Sequence, residues 1–238
     1  MSAILQDRTV LVVGRGGGIA RAVTLAVRGA GARVVVAGRD RDALDAAYDD
    51  PGIRAEAVDV TDESSIASLA GRLDQVDHVV STASARARGR LADLVQGPLL
   101  LSFNTKVVGP VLLAKHFAAR MPQDGSFVFL SGSSALKPAA GVLGVAVTNG
   151  AVDVLVRSLA VELAPIRVNA ISPGTVDTGA WDGLGEEKKH ELFAERTAHN
   201  PARRIGAAED IGDAVLFALT NTFMTGVSLP IDGGEPLV

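Results

Sequence analysis

The chain has 238 residues, 47% of them apolar and 21% charged, which is the make-up of a packed globular protein and too apolar for a disordered one. Lys and Arg number 23 against 27 Asp and Glu, a net charge of −4, so no field draws the chain to nucleic acid or to anionic membranes. With no cysteine, disulfides, thiolate nucleophiles and cysteine metal sites are excluded, and no metal centre is expected.

Met1 to Arg8 lacks the basic start and apolar stretch of a signal peptide, and no run of about 18 apolar residues is read further on, so a cytoplasmic protein without a membrane segment is expected. Strand-length apolar runs lie at 9–13, 33–37, 54–58, 78–81, 126–130 and 167–171. Several, such as Val10-Leu11-Val12-Val13, are apolar without interruption, as strands buried on both faces of a parallel sheet must be. Helical patterns alternate with them at 19–28, after Asp40, and at 62–73, 99–119, 145–164 and 209–219. This alternation predicts an α/β fold, a doubly wound parallel sheet with helices on both faces. No repeat or linker divides the chain, so one domain is expected over 1–238.

The first strand runs into Gly14-Arg15-Gly16-Gly17-Gly18-Ile19-Ala20 and then a helical pattern. Glycines let backbone approach a pyrophosphate closely, and the free N–H groups of the helix start meet its charge. The same glycines would also serve a purely structural turn. At the end of the second strand, Gly38-Arg39-Asp40 falls where an acid would hold the ribose of NAD. Gly38 leaves room for a 2′-phosphate and Arg39 with Arg15 supplies charge, so NADP(H) is preferred over NAD(H). Asp40 is read as a helix N-cap in the plainer alternative.

These features, with others in order along the chain, resemble the short-chain dehydrogenase/reductase family from about Gln6 to Gly234. Val13-Gly14 through Gly18-Ile19-Ala20 resembles its glycine motif, with Val and Ala in place of Thr and the last Gly. Val58-Asp59-Val60 resembles the adenine-contacting segment, and Ser81-Thr82-Ala83-Ser84 stands for Asn-Asn-Ala-Gly. Arg167 to Gly174 is close to a family signature, and Thr225-Gly226 with Asp232-Gly233-Gly234 resembles the closing segment. The resemblance implies a Rossmann-like sheet of about seven strands, a homodimer or homotetramer, and a small-molecule carbonyl or alcohol substrate under a lid at 178–205. It also implies cofactor contacts at Asp59, Val60, Thr82, Ala83, Pro173, Gly174, Val176 and Thr178, and a helix asparagine, Asn104, that holds a relay water.

The same resemblance places the family's tyrosine at Val145 and its lysine, four positions later, at Asn149; its serine falls on Gly132, between Ser131 and Ser133. The chain's one tyrosine, Tyr48, belongs to the helix after the second strand and is expected on the adenosine side. Asn149 can keep the lysine's bond to the nicotinamide ribose without its charge, and Ser131 or Ser133 can polarise a carbonyl or position water. Lys137 is the best charged candidate for a proton donor. His116 is set too far along its helix, about 18 Å from Asn104 at 1.5 Å per residue, and His190 and His199 fall in the lid segment. Trp181 in that segment would cover an apolar substrate or anchor the lid, and Arg86-Ala87-Arg88-Gly89-Arg90 follows the fourth strand at the expected cleft mouth. The reading is an atypical NADP(H)-dependent oxidoreductase; a catalytically inactive nucleotide sensor or oligomer partner, or a non-redox enzyme reusing the cleft, stands as the alternative.

Overall fold

Strand β1 (Thr9–Val13) buries Val10 and Val12 toward one face and Leu11 and Val13 toward the other, and a strand apolar on both sides needs cover on both. In the computed structural model, which describes residues 4–179 and 181–238, that cover comes from two helical layers. The remaining strands are β2 (Arg33–Gly38), β3 (Ile53–Ala57), β4 (His78–Ser81), β5 (Ser126–Leu130), β6 (Arg167–Pro173), the short pair β7 (Val176–Asp177) and β8 (Gly206–Ala207), and β9 (Ser228–Ile231). Seven of them form one sheet in the order β3-β2-β1-β4-β5-β6-β9, and every neighbouring pair is parallel. The expected doubly wound, seven-stranded architecture is therefore present.

Helices α1 (Gly18–Gly29) and α8 (Ala208–Thr220) cover Val10, Val12, Val34, Val128 and Ile171. Between α1 and β3 lies the short α2 (Arg41–Ala46). On the opposite face α3 (Glu63–Arg72), α5 (Gly109–Phe117) and α6 (Leu143–Glu162) close over Leu11, Val35, Phe127 and Phe129, the two rings stacking with centroids 5.9 Å apart. Strand order reverses between β1 and β4, and the crevice outside their carboxyl ends is where such sheets bind ligands.

The helix expected at 99–119 is three pieces: α4 (Gln96–Phe103), a π turn at Asn104–Val108, and α5. Pro110 explains the slip, because it has no N–H to offer the Lys106 carbonyl four residues back. The Gly109 N–H bonds instead to the Asn104 carbonyl, five residues back. Neither β9 nor α7 (Glu186–His199) was expected from its pattern: β9 is short, edge-placed and contains Pro230, and α7 is rich in charged residues and none of its residues is fully buried.

Contrary to the reading of the runs, two segments, Gln96–Arg120 and Leu143–Glu162, are long and apolar enough to cross a membrane by length and composition. A third of each is buried, where Leu113, Phe117, Val152, Val156 and Leu159 enter the core. The Arg167-to-Gly174 signature begins as scaffolding. Arg167 is buried and donates to the carbonyls of Ala218, Leu219 and Asn221, satisfying the end of α8. The Asn169 amide bonds Met224 O and Val227 N, which fixes the loop before β9.

Candidate functional site

At the β1–β4 reversal, four separate segments meet around the glycine turn. A Cβ on Gly14 would overlap Thr82 Oγ1, one on Gly38 would lie 2.5 Å from Gly14 O, and one on Gly18 would lie 3.0 Å from Thr178 O. Gly18 also has φ +54°, the left-handed region that glycine enters without strain. Beside these tight contacts, nothing stands within 4 Å of a Cβ built on Gly17. The α1 N-terminus that begins there has no side-chain cap and no acid in its first turn, so its N–H groups face no competing anion. A cradle walled by bare backbone and ending in free N–H donors fits a dinucleotide pyrophosphate. A Cβ on Gly16 would lie 2.8 Å from the Ala47 Cβ, and half-buried Ile19 packs into the α1–α8 core.

Beyond the end of β2, Arg39, Asp40, Arg41 and Asp42 line an open pocket. Asp40 accepts from Ala43 N at 2.9 Å and caps α2, so the plainer account of that acid holds. Asp59 accepts from Thr61 N and Oγ1 at 2.9 and 2.7 Å, and these bonds, with the charge of Arg39, hold its carboxyl below the usual value. Val60 is buried, and its carbonyl is the backbone against which Gly109 packs. Arg15 is exposed on the turn and within electrostatic reach of Arg86, in the loop after β4. Thr82 returns to Val13 O through both its N–H and its hydroxyl, and Ala83 packs on the core.

The other end of the crevice is built from α6 and the loop after β5. Asn149 is 3% exposed; its Nδ2 donates to Ser134 Oγ at 2.8 Å, while its Oδ1 is buried without a partner. Such an atom is costly unless something donates to it, and a ribose hydroxyl is a donor of the right kind. The expected serines lie apart in their surroundings. Ser131 turns its hydroxyl back to the Asn149 carbonyl at 3.1 Å, and Ser133 is half-buried at the start of a single helical turn. Ser134 is the hydroxyl that Asn149 engages. A Cβ on Gly132 would lie 2.6 Å from Asn149 Nδ2, so the asparagine amide fills the space that a serine there would need.

Asn104 is exposed, and its carbonyl is taken by the π turn. Two residues on, Lys106 is 7% exposed and donates from Nζ to the Ser131 carbonyl at 3.0 Å. Burial and the charge of Arg86 bring its ammonium down to about 7, against a smaller opposing pull from Asp153. Sequence reasoning missed Lys106; the available signal was that it is the one charged residue between Asp93 and Lys115.

The remaining candidates lie elsewhere. Lys137 donates to the carbonyls of Glu235 and Val238, His116 shares Glu63 with Lys115, and His199 bonds Glu195 O on its own helix. His190 sits on α7. Tyr48 lies under Arg21, 5.3 Å from its ring centre, on the α1–α2 side. Trp181 donates to Val176 O at 3.1 Å and lies under Arg88, so the segment after Thr178 is anchored to β7 and to the loop after β4. Arg196 pairs with Glu235, which also accepts from Thr175 N. Pro173 ends β6, and a Cβ on Gly174 would lie 2.7 Å from Asp232 Cα, so these two segments pass in backbone contact.

Residues 13–235 match the family described as Enoyl-(Acyl carrier protein) reductase. The chain is 31% identical to the short-chain dehydrogenase/reductase ucsE of Acremonium sp., over 97% of this chain and 96% of that one. It is 30% identical to the L-xylulose reductase of Mus musculus, over 97% of both. Among solved structures, a small-chain dehydrogenase in complex with NADPH superposes with a TM-score of 0.85 at 30% identity, covering 98% of this chain and 100% of the other. The MalC reductase/Diels-Alderase of Malbranchea aurantiaca superposes at 0.91 with 26% identity, covering 99% of each.

Proposed function

The chain belongs to the short-chain dehydrogenase/reductase family, and from that premise we propose that it is an NADP(H)-dependent oxidoreductase acting on a small carbonyl or alcohol, with an altered set of reacting side chains. The observation that carries this reading is the four-segment cradle of the Gly14–Gly18 turn, Gly38, Thr82 and Thr178 around a bare helix start. Arg39 beside Gly38, with Asp40 occupied as a cap, suits a 2′-phosphate better than a free 2′-hydroxyl. The NADPH bound to one structural relative at 30% identity agrees with this. Asn104, first placed beside the reacting atoms, gives way to Lys106; Asn149, through its unpartnered Oδ1, is the residue that holds the nicotinamide ribose.

When bound, the nicotinamide supplies or accepts the hydride. The chain's own residues set the rest. Val145, where the resemblance implies a tyrosine, offers no proton, so the proton comes from water or substrate. Ser134 orients the Asn149 amide, and Trp181, held by Val176 and Arg88, lets the segment 178–205 serve as a lid over the crevice. An exposed apolar face on α4, the π turn and α6, including Leu101, Val108, Val154 and Val161, is what a homodimer or homotetramer would cover.

The test is NADPH binding followed by fluorescence, together with NADPH oxidation across a panel of aldehydes and ketones, with Gly18→Asp as the inactive control. Saturable binding with turnover is the expected result. Binding without turnover on any substrate assigns the chain instead to nucleotide sensing, a reading that Val145 favours.

A further inference from the structure

The resemblance implies an asparagine from the helix before β5 and a lysine from α6. The structure brings the opposite pair together: Lys106 from the π turn and Asn149 from α6 flank Ser131, one bonded to its carbonyl at 3.0 Å and the other receiving its hydroxyl at 3.1 Å. We infer that Lys106 is the cation of the reaction centre, moved from one helix to the other, and that it selects neutral carbonyl substrates whose oxygen becomes negative as reduction proceeds. This rests on the oxidoreductase reading above.

Three observations carry it. First, a lysine is almost never fully buried unless something pairs with it, yet among the described residues no carboxylate forms an ion pair with Lys106. Its hydrogen-bond partner is a neutral carbonyl. Second, within the π turn that precedes Pro110, Lys106 is buried and Asn104 is exposed. Third, Arg86 adds a second positive charge to the same space and is itself crowded by Arg88 and Arg15. The charged groups that bear on Lys106 are Arg86, which opposes its charge, and Asp153 on α6, which favours it; Asp153 is already bonded to Ser228 Oγ at 2.6 Å.

A site with this sign of field disfavours a cationic substrate such as an iminium and favours an alkoxide or enolate. In the step it would assist, the carbonyl carbon would gain a C–H bond from the hydride pair that the bound reduced nicotinamide gives up, with its own C–H bond, as it is oxidised; the carbonyl π pair would move onto oxygen, which takes a proton from water and leaves hydroxide to the solvent. Lys106 acts through its field across Ser131 and Gly132, which makes it a positioning residue.

The experiment has a direct and a ligand readout. In 13C-lysine-labelled protein without nucleotide, one lysine should titrate near 7 and its signal should vanish in Lys106→Met; an ordinary titration for that residue overturns the inference. Binding of 4-nitrophenolate, followed by its absorbance in the free protein and with NADP⁺ present, should exceed that of neutral 4-nitroanisole. Lys106→Met should lose about tenfold of the anion's affinity, as expected for one nearby charge, and the exchanged variant K106N/N149K should recover it. Unchanged nitrophenolate affinity in Lys106→Met also overturns the inference. Failure of the wild-type protein to bind NADPH would instead defeat the cofactor reading, and the lysine titration would still decide the role of Lys106.

Discussion

Gly132 and Asn149 share one space: a Cβ on the glycine would stand 2.6 Å from Nδ2 of the asparagine. The amide is held there by Ser134 Oγ, and the Ser131 hydroxyl bonds the Asn149 carbonyl, so it has little room to withdraw. Replacing Gly132 by serine therefore overpacks the site, at a cost of about 1–3 kcal/mol in unfolding free energy. Backbone strain adds nothing, since Gly132 is extended at φ 165°. Asn149→Ala should relieve the clash, so urea melts of the two single variants and the double variant should show coupling of at least about 1 kcal/mol. Additive effects would mean that the two residues do not compete.

Gly18 is where the turn, the helix start and the 178–205 segment meet. Its φ of +54° and the Thr178 carbonyl 3.0 Å from a built Cβ leave no place for a side chain. Gly18→Ala should lower stability by about 1 kcal/mol. Gly18→Asp also puts a carboxylate where the helix start would receive phosphate, and should reduce NADPH affinity by at least about a hundredfold. Calorimetric titration of both variants separates the two effects; equal losses for Ala and Asp would show that charge is not the issue.

Much of this was legible before any coordinates. Five of the six predicted strands are legible to within a residue; four of them, β1, β2, β4 and β5, are doubly covered and have no polar face to blur their limits, whereas β3 alternates polar and apolar residues at the sheet edge. The glycine turn was readable because its demand is local: close backbone approach and a left-handed residue. Lys106 was not readable. It is buried within a π turn at Asn104–Val108, where the regular helical period that a sequence pattern relies on is broken. Ser134 was hidden for a related reason, since only the loop's three-dimensional path shows which of several adjacent hydroxyls meets Asn149. α7 left no trace in the pattern because none of its residues is fully buried.

Arg39 should decide between the two nicotinamide dinucleotides. It lies beside Gly38, whose own Cβ would strike Gly14 O, and its neighbour Asp40 is committed to Ala43 N. Arg39→Ala should weaken NADPH binding by about tenfold, the value of one charge-assisted contact to a phosphate, and leave NADH affinity within about twofold. Fluorescence titrations with both nucleotides check this. A parallel loss for NADH would place Arg39 at the adenine or the ribose ring rather than at a 2′-phosphate.

His78 supplies a pH dependence that belongs to the fold and not to the crevice. It is 4% exposed in β4, 2.9 Å from Ser126 Oγ, and burial lowers its imidazole to about 4, with Asp77 opposing and Arg167 assisting. Unfolded, the ring titrates near 6.5. Below that value the unfolded chain binds a proton that the folded chain refuses, so stability falls with falling pH between about 6.5 and 4 and levels off beneath, where both states are protonated. The full difference amounts to about 3 kcal/mol. Chemical denaturation of the wild type at pH 7 and pH 4.5 should show most of that loss, and His78→Gln, which keeps a polar partner for Ser126 but cannot take up the proton, should remove it. A variant with the same slope as the wild type would assign the acid sensitivity to the carboxylates paired with arginine, chiefly Asp50 and Asp124, both held below their usual values by those partners.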